Sequence, residues 1–315
     1  MDNCLLIGNG LNRTLKSSIA WSDLLEEIAV DFCVEHVSDI PLPLEFERIV
    51  NDYLNTSEKP SRDIYSDIKK RVAEKLKHTQ LPDNAIHHQI VKVGTDAILT
   101  TNYDYLLEYV YNNEYSHKGD TKKKYLFEPT SIQGGVSFYH LHGMVSNVQS
   151  ICLGYEHYIG IAEKLRIELN TKKNNEITKM NIKEILFDEC GRNNTWGERF
   201  YTSNITIIGL GLSDCEIDLW WLLTHRAYLY YSNYCGLRER IKNNIIYYDI
   251  VDDVKRNNQE DEIKRYRFFL EQERKHRLLE SDHVIVKKFY LSESDNDYAS
   301  AYENIFYDIC KGRLG

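Results

Sequence analysis

Short apolar runs alternate with longer amphipathic stretches along this chain, and most of the runs end in polar residues or glycines. Cys4-Leu5-Leu6-Ile7 leads into Gly8-Asn9-Gly10-Leu11-Asn12-Arg13. Ala97-Ile98-Leu99 leads into Thr100-Thr101-Asn102-Tyr103-Asp104. Val136 to Leu141 ends in His142-Gly143, and Asn204 to Ile208 in Gly209-Leu210-Gly211-Leu212-Ser213-Asp214. Ile245 to Tyr248 and Val284 to Val286 are two further runs. Apolar runs of this length, bounded by turn residues, read as buried strands.

The stretches between them carry helical spacing. Leu24, Leu25, Ile28, Ala29, Phe32 and Cys33 form one stripe, preceded by Asp23 and Glu26 in a capping-box pattern. Further helices are expected over 44–50 (after Pro41 and Pro43), 64–76, 258–280 and 298–310. Another follows Asp104, and one starts from the Ser213-x-x-Glu216 pattern. Residues 16–93 hold no good strand, and 156–203 are mixed, with a helical middle and a loop around Gly191-Arg192-Asn193-Asn194. Alternating strands and helices specify an α/β fold, a Rossmann-like parallel sheet with helices on both faces. The expected organisation is a single domain over 1–315 with helical insertions at about 16–93 and 156–203.

Charge and cysteine usage narrow the class. The 315 residues carry a formal net charge of −9, which argues against a broad nucleic-acid footprint. Seven cysteines, at 4, 33, 152, 190, 215, 235 and 310, include no C-x-x-C pair. An odd number of scattered thiols fits a reducing cytoplasm. The start lacks the basic segment of a signal peptide, and no apolar stretch is long enough to span a bilayer. The expectation is a cytoplasmic protein without membrane contact. Lys122-Lys123-Lys124 lies in a polar loop at 116–124 that composition favours as a solvated surface over a phosphate contact.

Polar groups at strand ends are where open α/β sheets bind ligands. Gly8-x-Gly10 permits close approach of backbone to phosphate. Arg13 stands where a dinucleotide fingerprint has its third glycine, which argues against an ordinary nicotinamide dehydrogenase. Asn102 and Asp104 are ligand-facing groups or helix caps, and the residues alone leave both readings open. His140 and His142 alternate, so they face opposite sides of a strand and cannot form a metal pair on one face. Gly209-x-Gly211 with Ser213 combines close backbone approach with a helix N-terminus suited to an anion. No metal-ligand spacing is present, and no metal is expected.

These four motifs, in this order, resemble the sirtuin-like (Sir2-like) family, and in detail its bacterial NAD-hydrolysing branch found among anti-phage defence effectors. Deacylase sirtuins have Gln before the Asn and a zinc held by two C-x-x-C pairs; this chain has Thr101 and no such pair. The resemblance implies NAD+ as substrate, cleaved to nicotinamide and ADP-ribose. It implies that Asn102 positions the ribose and the attacking water and that His142 acts as the base. Asp104 would hold the nicotinamide end, with Thr101 beside it. Gly8, Asn9, Gly10 and Asn12 would line the phosphates, and Gly209, Gly211 and Ser213 the adenosine side. Unchecked NAD+ depletion is toxic, so control by homo-oligomerisation or by a separate sensor protein encoded nearby is expected. A non-catalytic NAD- or nucleotide-binding module is the alternative, and NAD-dependent protein deacylation a weaker one.

Overall fold

A computed structural model describes residues 1–15, 18–38, 40–59, 61–78, 85–112, 127–170, 181–187, 195–253 and 262–313. The apolar runs form β1 (Asn3–Ile7), β2 (Ala97–Thr100), β4 (Val136–His140), β5 (Asn204–Ile208), β6 (Ile245–Val251) and β7 (Ile285–Tyr290). A short strand, β3 (Ser131–Gln133), precedes β4. The sheet order is β3-β4-β2-β1-β5-β6-β7. Every neighbouring pair is parallel except β3 with β4. The expected all-parallel sheet is therefore mixed at one edge. β3 escapes a pattern search because three residues, one of them the exposed Ile132, carry no period.

The helices are α1 (Trp21–Asp31), α2 (Leu42–Thr56), α3 (Ile64–His78), α4 (Ala85–Val93), α5 (Leu106–Asn112) and α6 (Tyr155–Asn170). After them come α7 (Ile182–Phe187), α8 (Trp196–Thr202), α9 (Ile217–Ser232), α10 (Glu262–Ser281) and α11 (Tyr298–Arg313). The loops at 116–124 and 191–194 that the sequence singles out lie outside the described residues.

Strand alternation sorts the core into two layers. Leu6, Leu99, Tyr139 and Ile207 pack on one face with Trp196, Phe200 and Leu222. Leu5, Ile7, Ile98, Phe138 and Ile208 pack on the other with Ile90, Ile305 and Phe306. The helices between β1 and β2 bring a core of their own. Leu25, Ile28, Phe46, Ile49, Ile68 and Val72 pack together with Ile151 and Leu153. The segment that follows β4 is thereby clamped against α1–α3.

Two helix starts differ from their expected places. α1 begins at Trp21 with no side-chain cap, so Asp23 sits inside its first turn. α9 begins at Ile217. Ser213 does not cap it, because its hydroxyl meets Cys215 Sγ at 2.9 Å, while Glu216 reaches back to the Ser213 N–H at 2.8 Å. Leu212, with φ +47°, turns the chain before that helix can start. A reciprocal capping box does form at Thr195 and Glu198, at the start of α8. Thr195-x-x-Glu198 carries that pattern in the sequence, inside a segment read only as insertion.

Candidate functional site

The register of the sheet explains why four motifs far apart in sequence meet. Tyr248, Ile208, Ile7, Thr100 and His140 stand side by side in one row across β6, β5, β1, β2 and β4. The chain runs from β1 outward to β2 and β4, then returns to the other flank of β1 as β5. The polar residues beyond that row therefore converge at the carboxyl edge, where strand order reverses. A cleft of about 270 Å³ opens there. Asn9, Gly10, Thr101, Asn102, Asp104, His142, Gly209, Gly211 and Ser213 line it.

Asn102 is held by its backbone and left free at its side chain. Its N–H donates to Thr100 Oγ1 at 3.0 Å, and Thr100 in turn donates to the Ile7 carbonyl at 2.9 Å. Its carbonyl accepts from His140 Nδ1 at 2.8 Å. His140 Nε2 meets Glu108 Oε1 at 2.9 Å. Both polar atoms of the Asn102 amide are buried and have no partner among the described residues, and the residue is 5% exposed. A buried amide without partners is costly, and such groups in native proteins call for a specific explanation. Asn102 stands in the cleft wall.

Asp104 does two jobs. Oδ1 accepts from the Leu106 N–H at 3.0 Å and starts α5, while Oδ2 accepts from Asn12 Nδ2 at 3.0 Å. Burial pushes its carboxyl above the usual range, against the pull of the Leu106 N–H.

His142 lies just past the end of β4, in a turn, not on the strand as the pattern suggests. The two histidines still point to different sides. His142 Nε2 donates to Asp218 Oδ2 at 3.0 Å, and both side chains are buried. The Tyr158 ring meets it edge-on, with centroids 5.1 Å apart. Burial alone would lower the His142 pKa; the Asp218 carboxylate outweighs it, and the net value stands above that of free imidazole. Glu216 shares this end of the cleft, and burial pushes its carboxyl up to about 7. Gly143 lets the chain turn here: its φ is +96°, and a Cβ would lie 2.2 Å from the Ser150 carbonyl oxygen.

Residues 96–228 match the family model of a SIR2-like domain. The match supports a Sir2-like family and with it NAD-related chemistry. A search of curated proteins returned no significant match. The SIR2-like segment runs from just before β2 into α9. It contains Asn102, His142, the Gly209 turn and Asp218; the Gly8-x-Gly10 turn lies outside it.

Around that SIR2-like segment, the first glycine turn is built differently from the expectation. The Gly8 N–H donates to the Ile208 carbonyl at 3.1 Å and the Gly10 N–H to the Gly209 carbonyl at 2.7 Å. A Cβ on Gly10 would meet Gly209 O at 2.6 Å and Tyr302 Oη at 2.8 Å. These glycines let two turns interlock, and their N–H groups are already used within the protein. Gly8 does not line the cleft. Asn12, expected at the phosphates, is fully buried, bound to Asp104 and to His87 Nε2 at 3.1 Å, and is not among the residues that line the cleft. It braces Asp104 from behind. Asn9 lines the cleft and is oriented by its bond to the Ile19 carbonyl at 3.1 Å. Gly211 has open space where a Cβ would stand.

Pattern reading missed several cleft residues. Ser18 presents a buried hydroxyl with no partner among the described residues, and Trp21, Leu24, Leu42 and Leu76 form an apolar wall from the helical insertion. Ser18-Ile19-Ala20-Trp21 offers no strand end or glycine to flag it. Among the described residues there is no group of three His, Cys, Asp or Glu side chains arranged to hold a metal ion, and no helix long and apolar enough to cross a membrane.

Proposed function

We propose that this chain cleaves the nicotinamide–ribose bond of NAD+ to give nicotinamide and ADP-ribose. The observation that carries the reading is the Asn102 amide: clamped by its backbone, buried, without partners among the described residues, and in the same cleft wall as a carboxylate-bound histidine. Nicotinamide leaves as a neutral molecule from a cationic ring, so no general acid is required. The transition state is oxocarbenium-like, and it asks for an oriented water and hydrogen bonds to the ribose. A free amide offers one donor and one acceptor function for that purpose. A histidine base contributes about 10²–10⁴-fold.

Cellular NAD+ depletion as an anti-phage effector, held in check by self-association or by a separate sensor protein, is the role we infer from the Sir2-like motifs. The lack of any C-x-x-C pair weighs against the zinc-bearing deacylases.

Asn102→Ala is the cleanest test. Among the described residues nothing binds the amide, so its removal orphans no partner there and should leave thermal stability near wild type. The purified chain, with and without the products of neighbouring genes, is incubated with NAD+ and the products are separated. Nicotinamide and ADP-ribose from wild type, and at least about 10²-fold less from Asn102→Ala, support the reading. Binding of NAD+ without nicotinamide release under any of these conditions would reduce the chain to a binding module. Acetyl-ADP-ribose from an added acetylated peptide would restore the deacylase reading.

A further inference from the structure

We propose that Asp218 is the positioning residue of the cleft, holding His142 as the Nε2–H tautomer so that Nδ1 is the atom that takes the proton; this rests on the NAD+-cleavage reading above. The argument starts from what a carboxylate can do. An ionised carboxylate only accepts hydrogen bonds, so the 3.0 Å contact between Asp218 Oδ2 and His142 Nε2 requires the proton on Nε2. A neutral imidazole has one N–H, and the other ring nitrogen is then a bare acceptor. Asp218 stands in the first turn of α9, where the helix dipole favours negative charge. It is fully buried, so water does not compete for the contact. Its second oxygen, Oδ1, has no partner among the described residues, where His142 is the side chain that Asp218 serves. Tyr158 fixes the ring from its edge, and the Cys152 N–H donates to the His142 carbonyl at 2.8 Å. The side chain is thus restrained by its backbone, by the Tyr158 ring and at one nitrogen.

The step balances as follows. The bond from ribose C1′ to the nicotinamide nitrogen breaks, and its electron pair leaves with nicotinamide. A water oxygen bonds to C1′, and the proton that this water loses goes to His142 Nδ1. The imidazolium formed is stabilised by the Asp218 carboxylate. The charged groups that act on this proton are Asp218 in the first turn of α9 and Glu216 just before it, while Tyr158 of α6 packs against the ring. Asp218 raises the proton affinity of His142, and Glu216 adds in the same direction.

Two measurements test the assignment. The first needs no turnover: ¹⁵N-histidine NMR of the full wild-type chain above the His142 pKa. A bare Nδ1 with a protonated Nε2 is expected, and a protonated Nδ1 would overturn the proposal. The second is Asp218→Asn. Its kcat for nicotinamide release should fall by about 10²-fold or more with KM little changed, as when a histidine loses its orienting carboxylate. The acidic limb of its kcat–pH profile should move to lower pH, because the carboxylate that raised the histidine pKa is gone. Wild-type kcat with an unmoved limb sinks the idea. If Asp218→Asn fails to fold, the NMR tautomer decides alone. Absence of nicotinamide release from wild type would count against the cleavage reading, and the tautomer would still decide this one.

Discussion

Two histidines stand two residues apart at the end of β4, each bound to a buried carboxylate, and they sit in opposite roles. His140 meets Glu108 at 2.9 Å, and His142 meets Asp218 at 3.0 Å. Both are buried, and in both the carboxylate outweighs desolvation and lifts the pKa. The difference is in the second nitrogen. His140 uses Nδ1 on the Asn102 carbonyl at 2.8 Å, so both its nitrogens are engaged inside the protein. His142 uses one nitrogen on Asp218 and lines the cleft. Distance and burial therefore do not separate scaffold from reagent here; the remaining valence does. On the proposed reading, His140 aims Asn102 and His142 acts beside it.

The largest expected effect is on turnover. His142→Gln keeps an amide donor close to where Nε2 stood, so Asp218 is not left unpaired, but it removes the titrating ring. Nicotinamide release should fall by about 10²–10⁴-fold with a modest change in Tm. His140→Gln cannot serve Glu108 and the Asn102 carbonyl together, so its Tm should fall further than that of His142→Gln. Equal Tm losses for the two, with equal turnover losses, would erase the contrast.

Next comes Glu108→Ala. Removing one member of a buried pair typically costs about 3–5 kcal/mol. Urea denaturation should show a loss of that order, with lower turnover because the Asn102 carbonyl loses its fixed donor. A loss under about 1 kcal/mol would mean that the His140 pair is not holding the strand end together.

The glycine turns extend the comparison to the backbone. Gly10→Ala would press a Cβ against the Gly209 carbonyl and the Tyr302 hydroxyl, and overpacking of this kind costs roughly 1–3 kcal/mol. Gly211→Ala meets open space and should leave Tm unchanged. Chemical denaturation of the two variants side by side checks this, and a stable Gly10→Ala would show that the interlocked turns can part.

How much of this was legible beforehand depends on the range of the interaction that carries it. The strand ends at Ile7, Thr100, His140 and Ile208 announce themselves because short apolar runs stop at polar or glycine residues. Their meeting follows from parallel topology alone. Asp218 could not be found that way: it reads as one more acidic residue in a helical first turn, and its partner lies 76 positions upstream. Asn12 is ambiguous for the mirror reason. A polar residue in a glycine turn resembles a ligand contact until Asp104 and His87, both distant in sequence, are seen to bind it. The false capping boxes at Asp23 and Ser213 share a cause: the four-residue pattern is local, whereas the helix start is set by where Trp21 and Ile217 pack.

The smallest expected effect is on pH dependence, and there the two histidines pull against each other. His140 has a folded pKa above the ordinary 6.5. A group of that kind contributes stability that is full below its unfolded pKa and is lost as pH rises through the folded value. The Tm difference between wild type and Glu108→Gln should therefore be largest near pH 6 and shrink as pH rises beyond the His140 pKa. At about 1 kcal/mol it amounts to a few degrees. His142 works in the opposite sense for catalysis, because a base must be unprotonated before it can accept. Nicotinamide release should rise over the same pH range in which the His140 pair loses its stabilising charge. Scanning calorimetry and turnover on one buffer series test both limbs. A Tm difference that grows with pH would show that the His140 pair is not charged in the folded protein, and the two histidines would then differ in charge as well as in their free valence.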